Sequence, residues 1–121
     1  MVKKFTLVLG VVLLAVGVLG ILTGGHDHTL IIFGINMTHN LIHVLSGVVA
    51  LAAAAGGEGY AKKYCLVFGA VYGLVTVGGF INLAPVVQML NLNAADNVLH
   101  LAIAASCLGL GLKGGSCISC S

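Results

Sequence analysis

Long apolar segments alternate with short polar turns along the whole chain. The apolar runs lie at about residues 5–22, 37–55, 64–82 and 94–112. A run of about 18 residues is about 27 Å long as a helix, which nearly matches a bilayer core of about 30 Å. The pattern predicts an all-α protein, a four-helix transmembrane bundle that forms a single membrane domain over residues 1–121.

The first and third spans resemble each other. Lys62-Lys63-Tyr64 repeats Lys3-Lys4-Phe5 at an offset of 59 (62 minus 3), and seven positions match within the spans. Because a mid-chain copy cannot be a signal peptide, its N-terminal twin is not expected to be one either. The sequence therefore predicts two tandem helical-hairpin repeats, repeat A over about 3–55 and repeat B over about 62–112, followed by a flexible, cysteine-containing tail at 113–121.

A polar motif opens the second and fourth spans. It reads N-x-x-H-N-x-x-H over residues 36–43 and N-x-x-D-N-x-x-H over residues 93–100, an offset of 57 (93 minus 36). Residues four apart share one face of a helix, so the fourth and eighth residues of each motif lie one above the other. Asn36 and Asn93 are predicted N-caps because their side chains can accept a hydrogen bond from the first turn.

The two motifs together supply four candidate metal ligands: His39, His43, Asp96 and His100. Three imidazoles and one carboxylate suit a tetrahedral, zinc-like transition-metal ion. Asn40 and Asn97 are predicted to orient the imidazole rings by hydrogen bonds.

Three alternatives to the metal site stay open. The same polar residues can fasten the two halves of the bundle and need no cofactor. His43 and His100 can ligate a b-type haem from facing helices. Against haem, the five basic residues are all lysines, so no arginine is present for the propionates, and the chain has only three tyrosines and four phenylalanines. A proton relay along the histidines is the third alternative.

Two further groups are possible accessory ligands. His26 and His28 flank Asp27 in the first outer connector, where a solvated loop is the simpler interpretation. Cys117 and Cys120 form a C-x-x-C in the tail, a spacing that can bind metal, form a disulfide or be acylated. The connectors themselves are too apolar for free loops, and Pro85 suits the first turn of a short interfacial helix.

Composition and charge limit the class of protein and the kinds of partner it can have. The chain is 60% hydrophobic and 7% charged, with mean hydropathy +1.16, which excludes an ordinary soluble domain and leaves the lipid bilayer as the expected surroundings. The five lysines are too few for a nucleic-acid footprint. They all fall on one predicted side of the membrane, so we expect both termini in the cytoplasm.

Glycine and alanine faces on the spans predict close helix packing and self-association into a homo-oligomer or a membrane array. The sequence shows no nucleophile beside a base and no phosphate-binding glycine loop, so we expect no enzyme. A small transport or channel protein is an alternative, although no charged residue lies in the middle of a predicted span.

The motif pair resembles the signatures of an uncharacterised bacterial membrane family, domain of unknown function 4383. The likeness rests on H-N-L-I-H over residues 39–43 followed by Gly47, on A-D-N-V-L-H-L over residues 95–101, and on G-x-x-Y-G over residues 69–73. The resemblance covers the chain from the first span to about Gly111. It implies a four-span inner-membrane protein and supplies no activity.

Overall fold

The computed structural model describes residues 1–24, 27–30 and 33–115. Five helices and two short strands follow one another along the chain. They are α1 (Val2–Leu22), β1 (His28–Leu30), β2 (Phe33–Ile35), α2 (Met37–Gly56), α3 (Glu58–Phe80), α4 (Ala84–Leu90) and α5 (Ala94–Gly115).

Four of these helices, α1, α2, α3 and α5, are long and apolar enough to cross a membrane. The predicted helical membrane fold is thus confirmed, and the protein is a membrane protein. One boundary differs from the prediction, because the third span was placed at about residues 64–82 and α3 already begins at Glu58. The turn needs a single residue, Gly57, whose φ of +113° is a conformation that side chains on other residues rarely allow.

The connector between α1 and α2 and the connector between α3 and α5 are ordered in different ways. The first contains an antiparallel pair of strands in which Thr29 lies opposite Gly34. The second contains α4, with Pro85 in its first turn as predicted. Asn91, in the left-handed conformation, caps the end of α4. A hydrogen bond joins the two connectors: the Asn91 side-chain amide donates to the Ile35 carbonyl oxygen at 2.9 Å.

Helices α1 and α2 form one closely packed pair, and α3 and α5 form another. A Cβ atom added at Gly10 would lie 3.0 Å from the Cβ of Ala50. In the other pair, a Cβ atom added at Gly69 would lie 3.0 Å from the Cβ of Cys107. Both contacts are as tight as side chains allow, so glycine at these positions lets the helix backbones approach.

The two helix pairs meet at both ends of the bundle. At one end the Thr6 hydroxyl and the Cys65 thiol, which are buried, hydrogen bond at 3.3 Å. Glu58 lies nearby, and its carboxylate accepts from the Lys3 backbone N–H at 3.3 Å, which links the start of α3 to the start of α1. The starts of α2 and α5 lie at the opposite end, where His43 and His100 come within 6.0 Å between ring centroids.

Candidate metal centre

Matching asparagine caps position the first turns of α2 and α5. The Asn36 side-chain oxygen accepts from the His39 N–H at 2.9 Å, and the Asn93 side-chain oxygen accepts from the Asp96 N–H at 2.9 Å. Asn36 also donates to the Met89 carbonyl oxygen at 2.9 Å, which ties the start of α2 to α4. The asparagine caps therefore pair backbone N–H groups that a helix leaves unpaired at its start, and they fix where α2 and α5 begin.

Three histidines come together behind these caps. They are His39, His43 and His100, and each is 2% exposed or less. One ring nitrogen from each residue can be chosen so that the three nitrogens lie within 4.8 Å of one another. The His39 and His43 rings meet edge to face at 4.4 Å, as expected for residues four apart on one helix. We call these three residues the histidine cluster.

A backbone carbonyl fixes the protonation pattern of one ring in the histidine cluster. The Nδ1 atom of His39 lies 2.9 Å from the Leu90 carbonyl oxygen, at the end of α4. A carbonyl oxygen can only accept, so Nδ1 carries the proton and, in the neutral ring, Nε2 carries the lone pair. A hydrogen bond from one ring nitrogen to a backbone carbonyl is how proteins orient a metal-binding histidine.

The remaining ring nitrogens of the histidine cluster have no partner. Among the described residues, nothing hydrogen bonds to Nε2 of His39 or to either ring nitrogen of His43 and His100. Buried polar atoms are nearly always paired with protein, water or an ion, because leaving one unpaired costs about 1–3 kcal/mol. The histidine cluster therefore gathers five ring nitrogens that can still pair with water or an ion.

Asp96, the fourth predicted ligand, lies outside this group. Its carboxylate accepts from the Asn93 backbone N–H at 2.9 Å while its own N–H donates to the Asn93 side chain. This reciprocal arrangement is a capping box, and it uses the carboxylate at the helix start. The structure therefore brings together three of the four predicted ligands.

The two asparagines predicted to orient the rings do something else. Asn40 lies against Gly20 of α1 and Asn97 lies against Gly79 of α3, so closely that a Cβ atom at either glycine would overlap the asparagine side chain. Within the described part of the chain, the Asn40 amide and the Asn97 side-chain oxygen have no hydrogen-bond partner. Asn40 follows His39 and Asn97 follows Asp96, so each asparagine side chain points about 100° away around the helix from the residue before it.

The structure does not test the predicted accessory ligands. His26, Cys117 and Cys120 lie outside the described residues, and His28 lies in β1. Their roles stay predictions.

A cavity of about 150 Å³ adjoins the histidine cluster, whose three members form part of its wall. The other lining residues are Ile42, Leu45, Ser46, Phe68, Val71, Tyr72, Val75 and Leu90. Sequence reasoning missed Tyr72, whose buried hydroxyl has no partner among the described residues and whose ring lies 5.5 Å from that of His100. A tyrosine in the middle of an otherwise apolar span was the available signal.

The geometry suits a tetrahedral transition metal with three protein ligands. Nitrogens that share such an ion at about 2.0–2.1 Å lie about 3.3 Å from one another. The observed limit of 4.8 Å therefore requires the ring nitrogens to close by about 1.5 Å at most. Three histidines and one open position form an arrangement that zinc commonly adopts.

Comparison with known proteins assigns the chain to a family. A model of the domain of unknown function DUF4383 matches residues 3–113, which is most of the chain. The protein belongs to the DUF4383 family. The match spans all four long helices of this DUF4383 protein and includes the whole histidine cluster. Searches of the curated proteins and of the solved structures give no match.

Proposed function

We propose that this DUF4383 protein is an integral membrane protein that binds one transition-metal ion through His39, His43 and His100. The observation that carries the proposal is the set of five unpaired ring nitrogens in the buried histidine cluster. The proposed role is binding rather than catalysis, and zinc is the reference ion because it accepts neutral imidazole and has no strict geometric demand.

The alternative of a purely structural polar lock fits these contacts less well. A lock would pair the histidines with one another, with Asp96 or with backbone carbonyls. The His39 ring donates to the Leu90 carbonyl oxygen, which leaves its other ring nitrogen available. Among the described residues, the ring nitrogens of His43 and His100 make no such hydrogen bond. A metal ion satisfies three of the unpaired nitrogens at once, which the lock does not.

The size of the cavity favours an ion over haem. Cavities that enclose ligands of drug size measure about 300–1,000 Å³. The cavity beside the histidine cluster measures about 150 Å³, which is too small for a macrocycle without moving whole helices. A bare ion with a small additional ligand fits this space.

The proposal includes the tandem architecture predicted from the sequence. Three sets of contacts support it: two contacts recur at equivalent positions of the two halves, and one joins a residue to its own equivalent. Gly10 meets Ala50 as Gly69 meets Cys107, Gly20 meets Asn40 as Gly79 meets Asn97, and Thr6 meets Cys65 directly. On this basis the two hairpins are related by a pseudo-twofold axis along the membrane normal.

Orientation and assembly complete the proposal. The lysines near the starts of α1 and α3 favour a cytoplasmic location for both termini in a bacterial inner membrane. The histidine cluster then lies near the outer face. No atom of the described residues lies within 4 Å of a Cβ atom added at Gly109 on α5, and Ala105 one turn earlier is exposed, so this face supports self-association.

The direct test measures zinc in the full chain purified in detergent, stripped with chelator, reloaded with zinc and desalted. Elemental analysis of wild type is expected to give about one ion per chain that His43→Ala or His100→Ala removes, with helical content retained. Thr38→Ala, on the exposed side of the same first turn, is the matched control and is expected to keep the ion.

The tail requires its own control because its two cysteines can bind zinc. A Cys117→Ser/Cys120→Ser double variant is expected to retain the ion held by the histidine cluster. Zinc content that is lost with the cysteines and unchanged by both histidine variants would overturn the proposal. So would wild-type protein that stays metal-free after reloading.

A further inference from the structure

The wall of the cavity beside the histidine cluster combines polar and apolar side chains. Tyr72 and Ser46 lie with the histidines on its wall, whereas Ile42, Phe68 and Val75 supply apolar surface. The Tyr72 residue is 3% exposed, and its hydroxyl has no partner within the described part of the chain. A buried hydroxyl that lines a cavity can pair with a molecule bound there.

The lining provides three imidazoles and lacks a fourth strong metal ligand. Of the described residues around the cavity, none besides the histidines carries a carboxylate, a thiol or an imidazole. Asp96, the nearest acidic residue in sequence to His100, uses its carboxylate in the capping box. An ion held by the histidine cluster therefore keeps one coordination position that the cavity can fill.

The cavity reaches the outside of the bundle between α2 and α3. Leu45 on α2 is 64% exposed and Val71 on α3 is 46% exposed, and both also line the cavity. In a membrane these exposed side chains face lipid. A molecule can thus approach the histidine cluster sideways from the bilayer.

We propose that this opening admits a small, mainly apolar molecule with one lone-pair nitrogen or sulfur, which binds the open position of the metal next to Tyr72. The inference rests on the proposed metal site. The ligand class follows from the wall: apolar side chains select an apolar body, the ion selects a lone pair, and the Tyr72 hydroxyl can donate to or accept from a second polar atom.

The experiment uses the full chain in lipid nanodiscs loaded with Co²⁺, whose visible spectrum changes with its ligands. Imidazole is the probe, at a pH where it is mostly neutral. Saturable spectral change with one imidazole per bound Co²⁺ is expected. Pyrrole has the same ring shape but no free lone pair, so the same concentrations of pyrrole are expected to leave the spectrum unchanged.

Three variants locate the imidazole. Tyr72→Phe is expected to weaken imidazole binding about fivefold, the effect of one lost hydrogen bond, and to leave Co²⁺ affinity unchanged. Val71→Phe is expected to block imidazole while Co²⁺ still binds. Val67→Phe, one turn away on the same exposed side of α3 and outside the cavity lining, is the matched control and is expected to behave as wild type.

Each contrary result has a separate meaning. A Co²⁺ spectrum that imidazole does not change shows a closed coordination sphere and overturns the inference alone. Loss of Co²⁺ itself in Tyr72→Phe, with normal folding, makes Tyr72 a metal ligand and also overturns it. Equal imidazole binding by Val71→Phe and Val67→Phe shows that imidazole binds outside the cavity, which also overturns the inference. Failure of wild type to bind Co²⁺ is the distinct outcome that contradicts the proposed metal site.

Discussion

The starts of α2 and α5 share one framework and differ at one decisive position. Both begin with an asparagine cap whose side chain accepts from the N–H three residues later at 2.9 Å. At that third position α2 has His39 and α5 has Asp96. Histidine turns its ring toward the cavity and the Leu90 carbonyl oxygen, whereas aspartate turns back to the Asn93 N–H.

The difference shows how similar helix starts acquire different chemistry. The aspartate is short, and its carboxylate completes a capping box at its own helix end. The imidazole is longer and cannot reciprocate in that way, so it reaches the neighbouring α4. As a result α2 contributes two members of the histidine cluster and α5 contributes one.

Packing next to these positions is the same in both helices. Asn40 fits against Gly20, and Asn97 fits against Gly79, with no room for a Cβ atom at either glycine. The comparison therefore separates a shared packing framework from an unshared site. Variants that exchange or remove these features test the separation.

The largest effect is expected from His39→Asp, which gives α2 the residue found at the start of α5. The new carboxylate can accept from the Asn36 N–H, so the helix is expected to form normally. Zinc affinity is expected to fall by more than about 100-fold because one of three ligands leaves the cluster. Isothermal titration with zinc checks this, and unchanged affinity would mean that His39 is not a ligand.

A smaller effect, on stability, is expected from Gly79→Ala. The added methyl group would overlap the Asn97 side chain, and overpacking of this kind costs about 1–3 kcal/mol. Gly73→Ala on the same helix is the control, because its Cβ atom would lie at an ordinary 3.9 Å from that of Ala104. Denaturant unfolding in detergent compares the two, and equal stabilities would contradict the close approach at Gly79.

The smallest effect is expected from Asp96→Ala. Loss of the carboxylate removes one partner of the capping box at the start of α5, which is expected to destabilise metal-free protein by about 1 kcal/mol. Zinc affinity is expected to change less than about threefold, since the carboxylate lies outside the histidine cluster. A loss of zinc affinity as large as that of His39→Asp would restore Asp96 as a ligand.

Much of the fold could be predicted from the sequence because it depends on local and compositional features. Span length and apolarity placed the four long helices, and the missing N–H of Pro85 placed the start of α4. The helical period placed His39 above His43. The turn at Gly57 could not be predicted in detail, since the choice between a long loop and a one-residue turn depends on how α2 and α3 pack.

The site was less predictable because it depends on contacts between distant parts of the chain. Periodicity put Asp96 above His100 but could not show that its carboxylate turns back to Asn93. Nor could the sequence reveal that Leu90 would orient His39, since 51 residues separate them. Tyr72 belongs to the site only because α3 packs beside α2, and a single sequence does not show which helices pack together.

X-ray absorption at the zinc edge of the reloaded full chain tests the central claim most directly. The account predicts a first shell of three imidazole nitrogens and one further light atom, at about 2.0–2.1 Å, with the outer scattering typical of imidazole rings. The pattern should lose one imidazole in His39→Asp where zinc is still held. A shell of sulfur atoms at about 2.3 Å, or one without imidazole scattering, would contradict it.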